Sequence, residues 1–233
     1  MIRCVRRQLF LALIMAAAAH AQVEIAPYAG MYRPTSILGS GAGVTLKQQP
    51  SIALGVRVAH WWPGHWGIEG TLGYAPSPLK GTQDPSPVSA HIVAASAQGL
   101  LRVTSAMARV GLYMGGGVGL VNHGGFAYPS WYAGPTTFLG GIVNVGASIR
   151  LTKRLNVRFN AEDFIYSAYV GRCTRTGSPG GGACDIWNAG ELGSVGGGFK
   201  VTPTTSVVQN DFVLSLALTV TLDRIRLGTG SGE

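Results

Sequence analysis

The sequence predicts an all-β protein, an eight-stranded antiparallel up-and-down β-barrel of the transmembrane kind, and three observations carry that expectation. Apolar and non-apolar residues alternate with period two: Leu155, Val157, Phe159 and Ala161 interleave with Asn156, Arg158, Asn160 and Glu162, so the two sets face opposite sides of a strand. The chain is apolar on average and only 12% charged, yet past its first residues no stretch reaches the roughly 18 apolar residues of a membrane helix. Short and long connections also take turns along the chain, as they do between the two ends of an outer-membrane barrel. The 35 glycines argue against a helical bundle, where each would cost about 1 kcal/mol.

Residues 1–21 read as a secretory signal. Arg3, Arg6 and Arg7 supply the positive start, Leu9 to Ala19 the apolar stretch, and Ala19-His20-Ala21 the cleavage site before Gln22. The predicted mature chain has about 15 Lys and Arg against 10 Asp and Glu, a modest and dispersed net charge of roughly +5. It forms no basic cluster of the nucleic-acid-binding type. Export implies an oxidising compartment.

Alternation and turn signals place strands at 23–32, 51–61, 66–75, 90–103, 108–120, 137–151, 155–167 and 208–222. The first carries Glu24 on its non-apolar parity. The second turns Ile52, Leu54, Val56 and Val58 one way and Arg57 the other. The third offers Trp66, Ile68, Gly70, Leu72 and Tyr74, opposed by Glu69. The fourth sets Gln98 and Arg102 on its polar side. The fifth presents Val110, Leu112, Met114, Val118 and Leu120 opposite Arg109. The sixth sets Leu139, Val143, Val145, Ile149 and Leu151 against Asn144 and Arg150. The seventh is the segment quoted above, and the eighth reads Phe212, Leu214, Leu216, Leu218, Val220 and Leu222. These lengths suit tilted membrane strands and exceed the usual globular strand. The stretches 62–65, 104–107 and 152–154 are tight, whereas 33–50, 76–89, 121–136 and 168–207 are long and rich in Gly, Pro, Ser and Asn. A soluble lipocalin-like barrel would show the opposite polarity, with an apolar inside and a polar outside.

The expected interior is a polar network of Glu24, Arg57, Glu69, Gln98, Arg102, Arg109, Asn144, Arg150, Arg158, Asn160 and Glu162. An eight-stranded lumen is just wide enough to be filled by side chains, and its charges must pair. The interior glycines 55, 73, 111, 115, 117 and 119 are expected to make room for long arginines or to let strands bend. Trp61, Trp62 and Trp66 at the first tight turn, with Tyr74, Phe138 and Phe212 at the other strand ends, are expected in the membrane-interface girdles. Asp163 carries the lipid-facing parity. Either a bulge at 162–164 returns it inward and turns Phe164 and Tyr166 out, or it stands above the hydrocarbon.

With these features on the page, the chain resembles the small eight-stranded outer-membrane barrels, the OmpA transmembrane-domain type and its OmpX- and OmpW-like relatives. The resemblance spans residues 23 to about 222 and rests on architecture rather than on a sharp motif. It implies a bacterial outer-membrane location and a paired polar core. The chain departs from the pattern in following Leu222 with a short Gly/Ser tail, 223–233, instead of ending on an aromatic. That tail is too short for a cell-wall-binding domain.

Cys173 and Cys184 bracket a Ser-Pro-Gly-Gly-Gly segment in the longest loop. An even pair in an exported chain reads as a disulfide, worth about 3 kcal/mol for a loop of roughly twelve residues. His91, Ser89, His123, Glu162 and Asp163 fall near the long-loop rim but form no spaced catalytic motif. No catalytic residue, cofactor or metal is therefore expected. The expected function is structural or surface-interactive: a monomer that contacts outer-membrane lipids and lipopolysaccharide and presents 168–207 to outside partners. The alternatives are a small pore for small or apolar solutes and a lipid-modifying enzyme.

Overall fold

The computed structural model describes residues 22–35, 37–41, 44–81, 87–105, 108–128, 136–172, 184–186, 199–201 and 203–222. Among these residues thirteen strands run β1 (Gln22–Pro34), β2 (Ile37–Gly41), β3 (Val44–Gln48), β4 (Ser51–Trp61), β5 (Trp66–Ala75), β6 (Leu79–Gly81), β7 (His91–Arg102), β8 (Val110–Gly124), β9 (Thr137–Arg150), β10 (Leu155–Arg172), β11 (Cys184–Ile186), β12 (Phe199–Val201) and β13 (Pro203–Leu222). Eight of them are the staves of a barrel in the order β13-β1-β4-β5-β7-β8-β9-β10, and β10 pairs back onto β13. Every stave pairs antiparallel with both neighbours. Closure leaves no stave edge unpaired, which is what a backbone in hydrocarbon requires.

The tight connections are built from local chemistry. Between β4 and β5 the Trp62 N–H donates to the Trp66 carbonyl at 3.1 Å, and Gly64 supplies the φ of +109°. That region is open to glycine and strained for other residues. Between β9 and β10, Thr152 Oγ1 accepts from the amides of Arg154 (3.2 Å) and Leu155 (3.1 Å). Thr104 Oγ1 accepts from the Leu112 amide at 2.9 Å where β7 turns into β8.

Alternation sorts the side chains as the sequence implies. On β5 the even positions face out and the odd positions face in, and on β13 the burial repeats with the same period from Val208 to Leu222. The outward set is a belt of large apolar residues, with Leu139 72% and Leu216 58% exposed. Water would penalise so continuous a patch on a soluble monomer, whereas hydrocarbon favours it.

Several segments differ from expectation. The long stretch 33–50 holds the β2–β3 hairpin, which also pairs with β6 and, over two residues, with β10. β8 runs on to Gly124, and β10 and β13 reach 18 and 20 residues, because their ladder continues past the rim to Gly171↔Pro203. No bulge occurs at 162–164: the β10–β13 register is regular from Leu155 to Val170. Asp163 keeps its outward parity, half-buried, and accepts from Asn210 Nδ2 at 2.9 Å. Phe164 and Tyr166 consequently stay inside, each 3% exposed. Residues 1–21 and 223–233, expected as signal and tail, lie outside the described residues. So does Cys173, and of Cys184 only the backbone strand is described.

Candidate functional site

Inward positions of six staves converge on an ion-pair cluster across the middle of the lumen. Arg57 Nη2 on β4 meets Glu162 Oε2 on β10 at 2.6 Å and also the Ser215 hydroxyl at 2.9 Å. Its Nε lies 3.8 Å from Glu69 Oε1 on β5. Arg158 Nη1 reaches Glu69 Oε2 at 2.8 Å and Glu24 Oε2 on β1 at 3.8 Å. Gln98 on β7 donates to Glu69 Oε1 at 3.2 Å and to Glu162 Oε1 at 3.4 Å. Arg57 is 0% exposed, and Glu69, Arg158 and Glu162 are 2% exposed each. Two guanidinium groups thus bridge three carboxylates in a chain Glu162–Arg57–Glu69–Arg158–Glu24. Burial at this depth is sustainable only because each charge is paired.

Rings fill the space beside this cluster. Arg57 lies 3.9 Å from the Tyr28 ring centroid, and Arg158 lies 4.6 Å from that of Tyr113. Tyr113 donates to Asn160 Oδ1 and accepts from Arg158 Nε at 3.0 Å. Of the glycines expected to make room for arginines, Gly55 and Gly73 seat the Tyr28 ring and Gly119 the Phe164 ring, whereas a Cβ at Gly111, Gly115 or Gly117 would meet Ser148, Leu100 or the Ala97 carbonyl; one at Gly146 would strike Tyr113. Asn144 is buried at the same level on β9.

The remaining residues expected in the interior lie elsewhere. Arg102 and Arg150 are half-buried, and Arg109 is exposed in the tight connection just before β8. All three line the short-turn mouth, because each stands at a strand end where the barrel opens. Among the expected girdle aromatics, Trp66, Tyr74 and Phe212 face outward at 64%, 47% and 40% exposure. Trp62 is half-buried at the tight turn, edge-on to His60. Trp61 and Phe138 do not belong to the girdles. Trp61 is 3% exposed and donates its Nε1–H to Glu24 Oε2 at 3.1 Å. Phe138 is 6% exposed and stacks on Tyr166 at 5.4 Å. Both sit at inward parity, and parity decides the face.

A second polar cluster, missed in the sequence, lies toward the long-loop end. Asp211 accepts from Tyr32 at 2.6 Å and from Tyr166 at 2.8 Å. His123 Nε2 lies 3.1 Å from the Tyr166 hydroxyl, and its Nδ1 lies 2.9 Å from Gln48 Oε1 and 2.8 Å from the Tyr128 hydroxyl. Gln48 arrives from β3 and donates to the Ser77 carbonyl at 3.1 Å. Gln48, Leu79 and Tyr128, all buried, come from three different long connections and roof the lumen.

Below the ion pairs, at the short-turn end, is a cavity of about 410 Å³. Its lining includes Glu24, Arg102, Arg109, Arg150, Lys153 and Arg158, with Trp61 and Tyr113 as walls. Arg102 stacks over Trp61 at 4.1 Å. Among the described residues no group of three His, Cys, Asp or Glu side chains could hold a metal ion, and no helix is long and apolar enough to cross a membrane.

No family model matches the sequence, and no curated protein does either. Solved structures do match in shape. The outer membrane protein OprG from Pseudomonas aeruginosa is similar over 88% of this chain and 97% of that one, at 12% identity and a TM-score of 0.56. The outer membrane protein AlkL, solved in lipid bilayers, is similar over 88% and 92% of the two chains at 13% identity and a TM-score of 0.49. Ail, the attachment invasion locus protein of Yersinia pestis, solved with the heparin analogue sucrose octasulfate, is similar over 85% and 97% at 8% identity and a TM-score of 0.39. The likeness to OprG is one of fold, that of the small outer-membrane barrels. It does not choose among the OmpA, OmpX and OmpW types.

Proposed function

We propose that the protein is a bacterial outer-membrane barrel with a sealed lumen, whose role is structural and surface-interactive rather than conductive or catalytic. The observation that carries this reading is the buried chain of charges from Glu162 to Glu24. It spans the lumen from β10 through β4 and β5 to β1 with side chains that are almost fully buried, which supports a filled rather than an open interior. The continuous apolar belt supports residence in a lipid bilayer, and the signal-like first 21 residues support export. With short turns inside and long connections outside, the extended β10–β13 ladder, which takes in both ends of 168–207, would raise that stretch away from the membrane toward lipopolysaccharide or outside partners.

A catalytic reading finds little support in the rim histidines. His123 is 1% exposed and engaged by Gln48, Tyr128 and Tyr166. His91 lies against Tyr74 at 5.6 Å between ring centres.

Planar-bilayer recordings of the purified, folded protein test the proposal. The expected trace is flat, with no reproducible unit steps. Steady steps of one size, altered by Arg57→Leu, would refute the sealed lumen.

A further inference from the structure

We infer that the short-turn mouth is a binding site for a compact, multiply charged anion of the phosphate-ester class. The inference is independent of the surface role proposed above. The cavity of about 410 Å³ falls within the range of about 300–1,000 Å³ typical of small-ligand sites. Tyr113 and Arg158 line it and also belong to the polar cluster of the lumen.

Its charge is one-sided. Arg102, Arg109, Arg150, Lys153 and Arg158 line it against the carboxylate of Glu24. Glu24 is already engaged by Trp61 and Arg158. Among the described residues, no carboxylate lies within 4.0 Å of Arg102, Arg109 or Lys153. Like charges gathered in a concave, partly desolvated wall repel one another and focus a positive potential. Filling the cavity with an anion relieves that repulsion.

A second, independent observation lies in the ceiling. The Arg158 side chain is 3% exposed, and its Nη2 has no hydrogen-bond partner. A buried guanidinium nitrogen without an acceptor is costly, and an anionic oxygen in the cavity would supply one. Arginine forks match the tetrahedral oxygens of phosphate better than ammonium groups do. Several forks converging on one small space favour a group that carries more than one negative charge. Such a group could reach the mouth on a soluble phosphate ester or on the phosphate of a lipid headgroup.

Isothermal titration of inorganic pyrophosphate into the folded full-length protein in phosphatidylcholine nanodiscs tests the site. The expected result is saturable binding of one pyrophosphate per barrel, with succinate binding more weakly. Arg102→Gln combined with Arg109→Gln should weaken binding by about tenfold or more, whereas Arg33→Gln, an exposed cation on β1 at the opposite end, should leave it unchanged. Lys153→Gln, in the tight connection outside the strands, gives a milder loss and a variant whose fold is not in question. In phosphatidylglycerol nanodiscs, weakened pyrophosphate binding identifies a headgroup phosphate as the competing occupant, and unchanged binding identifies a soluble ester; either outcome upholds the anion site. No saturable heat up to about 10 mM pyrophosphate, equal binding by the double variant, or succinate binding as tightly as pyrophosphate would overturn it.

Discussion

Arg57 shows how one buried charge governs this lumen. Its guanidinium has Glu162 at 2.6 Å, Ser215 at 2.9 Å and the more distant Glu69 at 3.8 Å. Glu162→Leu removes the near partner and leaves Glu69, so the expected destabilisation is about 3 kcal/mol, the lower part of the range for a broken buried pair. Urea unfolding of the barrel in lipid vesicles measures it. The double variant Arg57→Leu/Glu162→Leu should recover much of the loss, because no unpaired cation remains. An unchanged unfolding midpoint in the single variant would mean that the pair contributes nothing. Parity made Arg57, Glu69, Arg158 and Glu162 legible in the sequence, but not which carboxylate meets which guanidinium, since that depends on stagger between staves. Trp61 was legible and misread. Strand residues alternate in direction, and Trp61, the last residue of β4, shares the inward parity of Arg57 and Ala59. Phe138 shares that of Asn144 in the same way.

Among the elements, the staves obey alternation closely and the connections do not. β4 and β5 span Ser51–Trp61 and Trp66–Ala75, the ranges that period and turn residues predict. Nothing comparable marks β2, β3 and β6: they are only five, five and three residues long and held by one another, too short for a period to announce Gln48. Asp211 is different. It has the inward parity of Val213 and Ser215 and could have been read. Two substitutions test the packing of the staves. Gly146→Ala on β9 sets a methyl group against the Tyr113 ring and is expected to cost about 1–3 kcal/mol, as overpacking does. Tyr113→Phe, which removes the hydroxyl that the methyl group would meet, should relieve part of it. Leu216→Arg on β13 places a cation on the apolar belt and should cost about 2–4 kcal/mol near the bilayer midplane. Unfolding midpoints in vesicles check both, and a neutral Leu216→Arg would contradict the lipid-facing assignment of that position.

At the scale of the whole molecule, two different interiors share one wall: a charged, ring-lined cluster at mid-height and a tyrosine–histidine–aspartate cluster beneath the roof. The apolar belt outside reverses the polarity of an ordinary globular protein, and that reversal follows from one residue in two facing each way. The pairing of β1 with β13 has a further consequence. Val23 meets Leu222, and Pro34 meets Asp211, so β1 must wait for a partner strand far along the chain. Such a non-local contact must be reached against the entropy of the whole intervening chain. Until it forms, the nascent polypeptide carries two bare flanks and a greasy exterior through water. Survival in that interval depends on something else holding it, and the single seam between β1 and β13 decides whether a cylinder exists at all.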